Sequence, residues 1–147
     1  EPEVAHAALT ALAQLGSAED APRLAAFLED RRALLREAAA AGLGRMGPTA
    51  RDTVRALLED RQARRREYGA LAAAQSSDLA TLALLDGALK DRAPAVRLSA
   101  LRALNAVQEP LKKDRARFKP AVASLADSDK DPRVRALAAG VLAAGGF

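Results

Sequence analysis

Small and apolar residues recur along this chain at fixed helical offsets, with charged residues between them. The clearest stretch is Asp91-Arg92-Ala93-Pro94-Ala95-Val96-Arg97-Leu98-Ser99-Ala100-Leu101-Arg102-Ala103-Leu104, and it returns as Asp129-Lys130-Asp131-Pro132-Arg133-Val134-Arg135-Ala136-Leu137-Ala138. Aligning all copies on the proline position puts anchors at Pro2, Ala33, Ala63, Pro94 and Pro132, which lie 31, 30, 31 and 38 residues apart. Two residues past each anchor stand Val4, Leu35, Arg65, Val96 and Val134. Six past come Ala8, Ala39, Gly69, Ala100 and Ala138; ten past come Leu12, Leu43, Ala73, Leu104 and Leu142. Positions four apart share a helix face. Each unit is therefore an amphipathic helix whose apolar stripe needs a neighbour to keep it dry, and a near-constant period of this size is the mark of a stacked array.

The breaks between stripes supply the remaining elements. Gly16 ends a first helix over 2–15, and Ser17-Ala18-Glu19-Asp20 has capping-box spacing ahead of Pro22. Leu24, Phe27 and Leu28 then give a short helix an apolar face. A helix over 33–46 stops at Gly47-Pro48, and Thr49 with Asp52 opens another that runs to Leu58. The third unit departs from the pattern, with Arg65, Gly69, Ala73 and Ser76 in apolar slots. Its helix (64–75) is expected to be packed more thinly than its neighbours, as the weakest joint of the stack, because each lost methylene forfeits about 0.8 kcal/mol of burial. Ser76-Ser77-Asp78 caps a helix carrying Leu79, Leu82, Leu85 and Leu89. The polar stretch 108–117 lengthens the last spacing and reads as an exposed loop with one helical turn. Helices over 118–125 and 132–144 follow, and 145–147 reads as a frayed end.

An arginine follows the first apolar position in four of five copies (Arg36, Arg66, Arg97, Arg135), and an aspartate stands three residues before the anchor in four (Asp30, Asp60, Asp91, Asp129). The pattern Asp-x-x-Pro-x-Val-Arg followed by Ala and Leu at helical spacing resembles the short HEAT-like repeats of the phycobilin-lyase type, over essentially the whole chain. That resemblance implies an all-α fold: an α-α superhelix, a right-handed solenoid of stacked helix pairs related to HEAT and armadillo arrays. The expectation is a single domain over 1–147 with about five units and about nine helices, either cut from a longer protein or with an end buried against something else, because both edges lack polar caps. The Asp and Arg pairs are expected to form a structural ladder of charge-assisted hydrogen bonds between successive units.

Composition fits this reading. Hydrophobic residues make up 50% of the 147 but aromatics only 3%, so Ala, Leu and Val must fill the interior. The absence of cysteine excludes disulfides and thiolate metal sites and leaves the compartment open, with the cytoplasm favoured. No run approaches the roughly 18 apolar residues that span a bilayer. His6 is the only histidine, and without a nucleophile elbow it reads as a helix-surface residue. Asp127, Asp129 and Asp131 start like a calcium loop, but Pro132 and Ala138 stand where such a loop needs Gly and Glu. No catalytic residue, cofactor or metal is expected.

Two basic clusters, Arg61, Arg64, Arg65 and Arg66, then Lys112, Lys113, Arg115, Arg117 and Lys119, accompany a net charge of +4. Interspersed acids and scarce aromatics argue against a stacking platform for nucleic acid. In arrays of this kind the second helices line the concave side, which points to His6, Thr10, Glu37, Glu67, Leu98 and Arg102, with Arg64 and Tyr68 beside them, as a partner-binding groove. The function that follows is a non-enzymatic scaffold for a protein or peptide. A nucleic-acid-binding array using the basic clusters is the alternative, and a bilin-lyase subunit is a third reading that only the resemblance supplies.

Overall fold

The computed structural model describes every residue except Gln108 and Gly146, together with every side chain but that of Leu15. Ten α-helical segments follow one another among the described residues: α1 (Pro2–Leu15), α2 (Ala21–Ala26), α3 (Ala33–Arg45), α4 (Arg51–Leu58), α5 (Ala63–Ala74), α6 (Leu79–Leu82), α7 (Leu85–Ala88), α8 (Pro94–Leu104), α9 (Lys119–Ser128) and α10 (Pro132–Ala143). Only Ala83 and Leu84 separate α6 from α7. Short 3-10 segments cover Phe27–Glu29, Gly47–Ala50 and Leu111–Phe118, and the described residues contain no strand. The fold is all-α.

Helices pack in chain order. The long helices form a succession in which α1 lies on α3, α3 on α5, α5 on α8 and α8 on α10. Short helices cover them: α2 packs on α3, α4 on α5, α7 on α8 and α9 on α10. The repeated sequence explains the repeated entry into the long helices. Oδ1 of Asp30, Asp60, Asp91 and Asp129 accepts a hydrogen bond from the backbone N–H two residues on, at 2.8 Å in each case. This Asx turn bends the chain just before each helix, and Pro94 and Pro132 then start α8 and α10, where a missing N–H costs nothing.

The apolar stripe faces the interior in α3 (Leu35, Ala39, Leu43) and α8 (Val96, Ala100, Leu104), all at most 1% exposed, and α10 buries Val134 and Ala138. In α1 it does not. Val4 is 65% exposed and Ala8 is exposed, while Leu9 and Ala13 are buried instead. The physical reason is that α1 turns the flank carrying Ala13 toward α3, where a Cβ at Gly42 would come within 3.1 Å of the Ala13 Cβ.

Several local expectations are corrected. The helix α5 is not thinly packed: Ala70, Ala72, Ala73 and Ala74 are fully buried. Lost side-chain volume is made up by close backbone approach, since a Cβ on Gly69 would lie 3.0 Å from the backbone N of Leu58. Thr49 caps nothing, because a 3-10 turn over Gly47–Ala50 precedes α4, which has no side-chain cap. Leu79 is 44% exposed, whereas Leu82, Leu85 and Leu89 are buried as expected. The expected loop over 108–117 begins at Gln108, outside the described residues. Its remainder winds into the 3-10 segment Leu111–Phe118, with Arg115 and Phe118 buried and Arg115 Nη1 donating to the Leu104 carbonyl at 3.3 Å. Within the expected frayed end, Gly146 is likewise outside the described residues, and Phe147 packs half-buried against the core. The Ser17 capping box forms by half: Asp20 Oδ2 accepts from Ser17 N at 2.9 Å, and α2 starts only at Ala21. Asp78, by contrast, caps α6 as expected, accepting from Thr81 N and Oγ1.

Candidate partner-binding groove

The long helices α5 and α8 lie side by side, so residues at matching offsets on the two helices meet. Glu67, Tyr68 and Leu71 from α5, with Ser99, Arg102 and Ala103 from α8, line a cavity of about 240 Å³. Arg64 stands one turn before Tyr68 on the same face. Its Nε–H donates to the Tyr68 hydroxyl at 3.0 Å, and its guanidinium carbon sits 5.8 Å from the ring centroid. Across the cavity, Ser99 Oγ donates to Glu67 Oε2 at 3.3 Å. The lining thus offers an apolar floor of Leu71 and Ala103, an aromatic edge at Tyr68, and one exposed cation in Arg102.

Four of the eight expected groove residues therefore come together, Arg64, Glu67, Tyr68 and Arg102, at or beside this cavity; Glu37 is exposed on α3 and does not line it. Leu98 is corrected. At 8% exposure it is turned into the core, where an aliphatic side chain belongs. His6 and Thr10 sit on α1 and line no part of the cavity, and the Thr10 hydroxyl is spent on the His6 carbonyl at 3.0 Å. Ser99 escaped the sequence reading although its signal was present. It holds the same offset from Pro94 that Tyr68 holds from Ala63.

The expected Asp and Arg positions meet at two joints. Arg66 Nε and Nη2 donate to the Asp91 carboxylate at 2.8 and 3.0 Å, and Arg97 Nε and Nη2 donate to Asp129 at 2.7 and 2.8 Å. Each is a two-pronged bond from one unit to the next. The same arginines also clamp their own unit, Arg66 Nη1 to the Asp60 and Arg61 carbonyls and Arg97 Nη1 to the Asp91 carbonyl. Arg97 holds the Asp129 carboxyl below its ordinary range. At Asp91 burial pushes the other way, but the bonds from Arg66 and Ala93 N outweigh it and the shift is again downward.

The other joints differ. Arg36 and Arg135 clamp the carbonyls of Asp30 and Arg31, and of Asp129 and Lys130, but reach no carboxylate among the described residues. Asp30 is held by Arg32, and Asp60 by Arg65 at 3.0 Å. A tether absent from the sequence reading joins α4 to the α6 cap: Arg51 Nε donates to Asp78 Oδ2 at 2.8 Å and holds that carboxyl at about 2.

The basic clusters are partly neutralised. Arg65 pairs with Glu29 and Asp60, Arg66 with Asp91, and Arg117 with Asp86. The acids of the calcium-like stretch are also engaged, Asp129 with Arg97 and Asp131 with Arg133. No helix among the described residues is long and apolar enough to cross a membrane. Neither a family model nor a curated protein matches the chain.

Proposed function

We propose that this chain is a right-handed solenoid of HEAT-like repeats, and that it acts as a non-catalytic scaffold holding a protein or peptide segment in the groove between α5 and α8. The chain-order succession of long helices, with an Asx turn and an arginine clamp at four of the five repeats, supports the array. One observation carries the function: the cavity lined by Tyr68, Leu71, Arg102 and Glu67. It pairs an aromatic edge and an arginine, the side chains most often found as interface anchors, with a small apolar floor. The carboxylate partners of Arg65, Arg66 and Arg117 favour a protein ligand over a nucleic-acid backbone, because those charges are already spent.

A random dodecapeptide library selected against the full chain tests the reading. Selected peptides are expected to weaken at least about tenfold on Tyr68→Ala and on Arg102→Ala, as for interface anchors. Arg55→Ala, on the exposed side of α4, should leave them unchanged. Peptides that ignore Tyr68 and Arg102 would refute the groove.

A further inference from the structure

We infer that the joint between α3 and α5 carries an open position for a carboxylate presented by a partner segment, with Arg36 as its anchor. The two closed joints give the comparison. In them the arginine is fixed by backbone carbonyls through Nη1, and its remaining fork, Nε with Nη2, grips the next unit's aspartate. Arg36 is fixed in the same way, Nη1 donating to Asp30 O at 2.8 Å and Arg31 O at 2.9 Å. By the repeat, its fork belongs to Asp60. Asp60 is instead taken by Arg65, which stands where the other units place Leu35, Val96 and Val134. The Arg36 fork is therefore oriented for a carboxylate and reaches none among the described residues.

The surroundings complete the position. Arg36, Arg31, Arg64 and Arg65 line a cavity of about 440 Å³ together with Glu29, Asp30 and Gln62. Both acids there are already paired, Glu29 with Arg65 at 3.0 Å and Asp30 with Arg32 at 2.9 Å. Arg31, Arg36 and Arg64 have no carboxylate partner among the described residues. A planar fork held by two carbonyls loses little freedom on binding, and its geometry matches a carboxylate. An aspartate or glutamate side chain of a bound peptide fits the position, completing in trans the rung that the chain completes itself at the later joints. Arg64 borders this cavity and also bonds Tyr68, so the position continues the proposed groove and rests on the scaffold reading.

The test is a titration of the full ¹⁵N-labelled chain with a blocked tetra-aspartate peptide at constant ionic strength, read at the arginine Nε–H signals. The Arg36 signal should shift and saturate at a concentration at least roughly fivefold lower than that of Arg135, whose fork also reaches no carboxylate among the described residues but which does not line this cavity. The closed arginines Arg66 and Arg97 should stay in place. Arg65→Val frees Asp60 to close on Arg36 and should abolish the response, with the urea midpoint unchanged or raised. An equal response at Arg36 and Arg135, a response that survives Arg65→Val, or tighter saturation by inorganic phosphate than by the peptide would each overturn the assignment. The same titration on Tyr68→Ala should still shift Arg36, which separates failure of this position from failure of the groove.

Discussion

The helices α5 and α8 hold equivalent places in neighbouring units, yet they fill them differently. Along α8 the stripe is Val96, Ala100 and Leu104, and side-chain volume occupies the interior. Along α5 the same slots hold Arg65, Gly69 and Ala73, and the gap is closed by moving backbone inward. A Cβ on Gly44 of α3 would lie 2.3 Å from the Gln75 carbonyl oxygen, and Ser77 N–H donates to the Gly44 carbonyl at 3.3 Å. The α5 region adds a cation, since Arg66 is only 5% exposed and is balanced by Asp91. An interior can thus be filled by methyl groups or by proximity. Proximity leaves no room for an added atom and sets polar groups where they must be paired.

The largest effect should come from unbalancing that cation. Asp91→Ala leaves the Arg66 guanidinium, only 5% exposed, without its carboxylate and should cost up to about 3–5 kcal/mol, the range for broken buried pairs. It also removes the Asx turn to Ala93 N. The double variant Arg66→Met with Asp91→Asn removes the charge and restores a turn former, so it should recover a large part of the loss. Urea unfolding of the three proteins measures this. A cost under about 1 kcal/mol for Asp91→Ala would mean the pair behaves as a surface ion pair and α5 is wetter than described.

A smaller effect, opposite in sign at two glycines, sharpens the comparison. Gly44→Ala gains helix propensity of about 1 kcal/mol but drives a methyl into the backbone of Gln75, for a net loss of about 1–3 kcal/mol. Gly140→Ala in α10 meets nothing within 4 Å and should gain up to about 1 kcal/mol. Thermal unfolding of both variants checks the signs, and a stabilising Gly44→Ala would show that α3 and α5 are not in backbone contact.

The sequence foretold most of the fold where side-chain type reports burial directly. The stripe through Leu35, Ala39 and Leu43 and its repeat at Val96, Ala100 and Leu104 placed two long helices with their buried faces. It misled at α5 because Gly and Ala at apolar slots have two physical meanings: a void, or room for a neighbour's backbone. At Gly69 only the position of Leu57 and Leu58 decides between them, and those residues belong to another helix, α4. The ladder was legible as residue types, since Asp and Arg recur at fixed offsets. Its interruption at Arg36 was not, because the competitor, Arg65, looked like a packing fault rather than a ligand for Asp60. Around the cavity, Tyr68 was legible from its residue type and Arg102 from its offset, whereas Leu98 failed because offset alone cannot say how far a helix is rotated.

The smallest effect concerns acid, and it separates long-range rungs from local pairs. Asp78 is held at about 2 by the bond from Arg51, against the opposing pull of burial and with help from Thr81; Asp131 is held at about 2 by Arg133. A carboxyl lowered in the folded state contributes stability that is fully present above its unfolded value near 3.8 and is lost as pH falls through the folded value near 2. The contribution counts only if the partner is absent on unfolding. Arg51 lies 27 residues from Asp78 and leaves it when the chain unfolds, whereas Arg133 lies two residues from Asp131, is largely exposed, and stays nearby. Asp78→Asn, which keeps a good helix cap, should therefore flatten the fall of the urea midpoint between pH 4 and pH 2. Asp131→Asn, which keeps its cap as well, should leave that slope nearly unchanged. Equal flattening by both would mean that the Arg51 tether contributes no more to the joint than a pair between near neighbours in the chain.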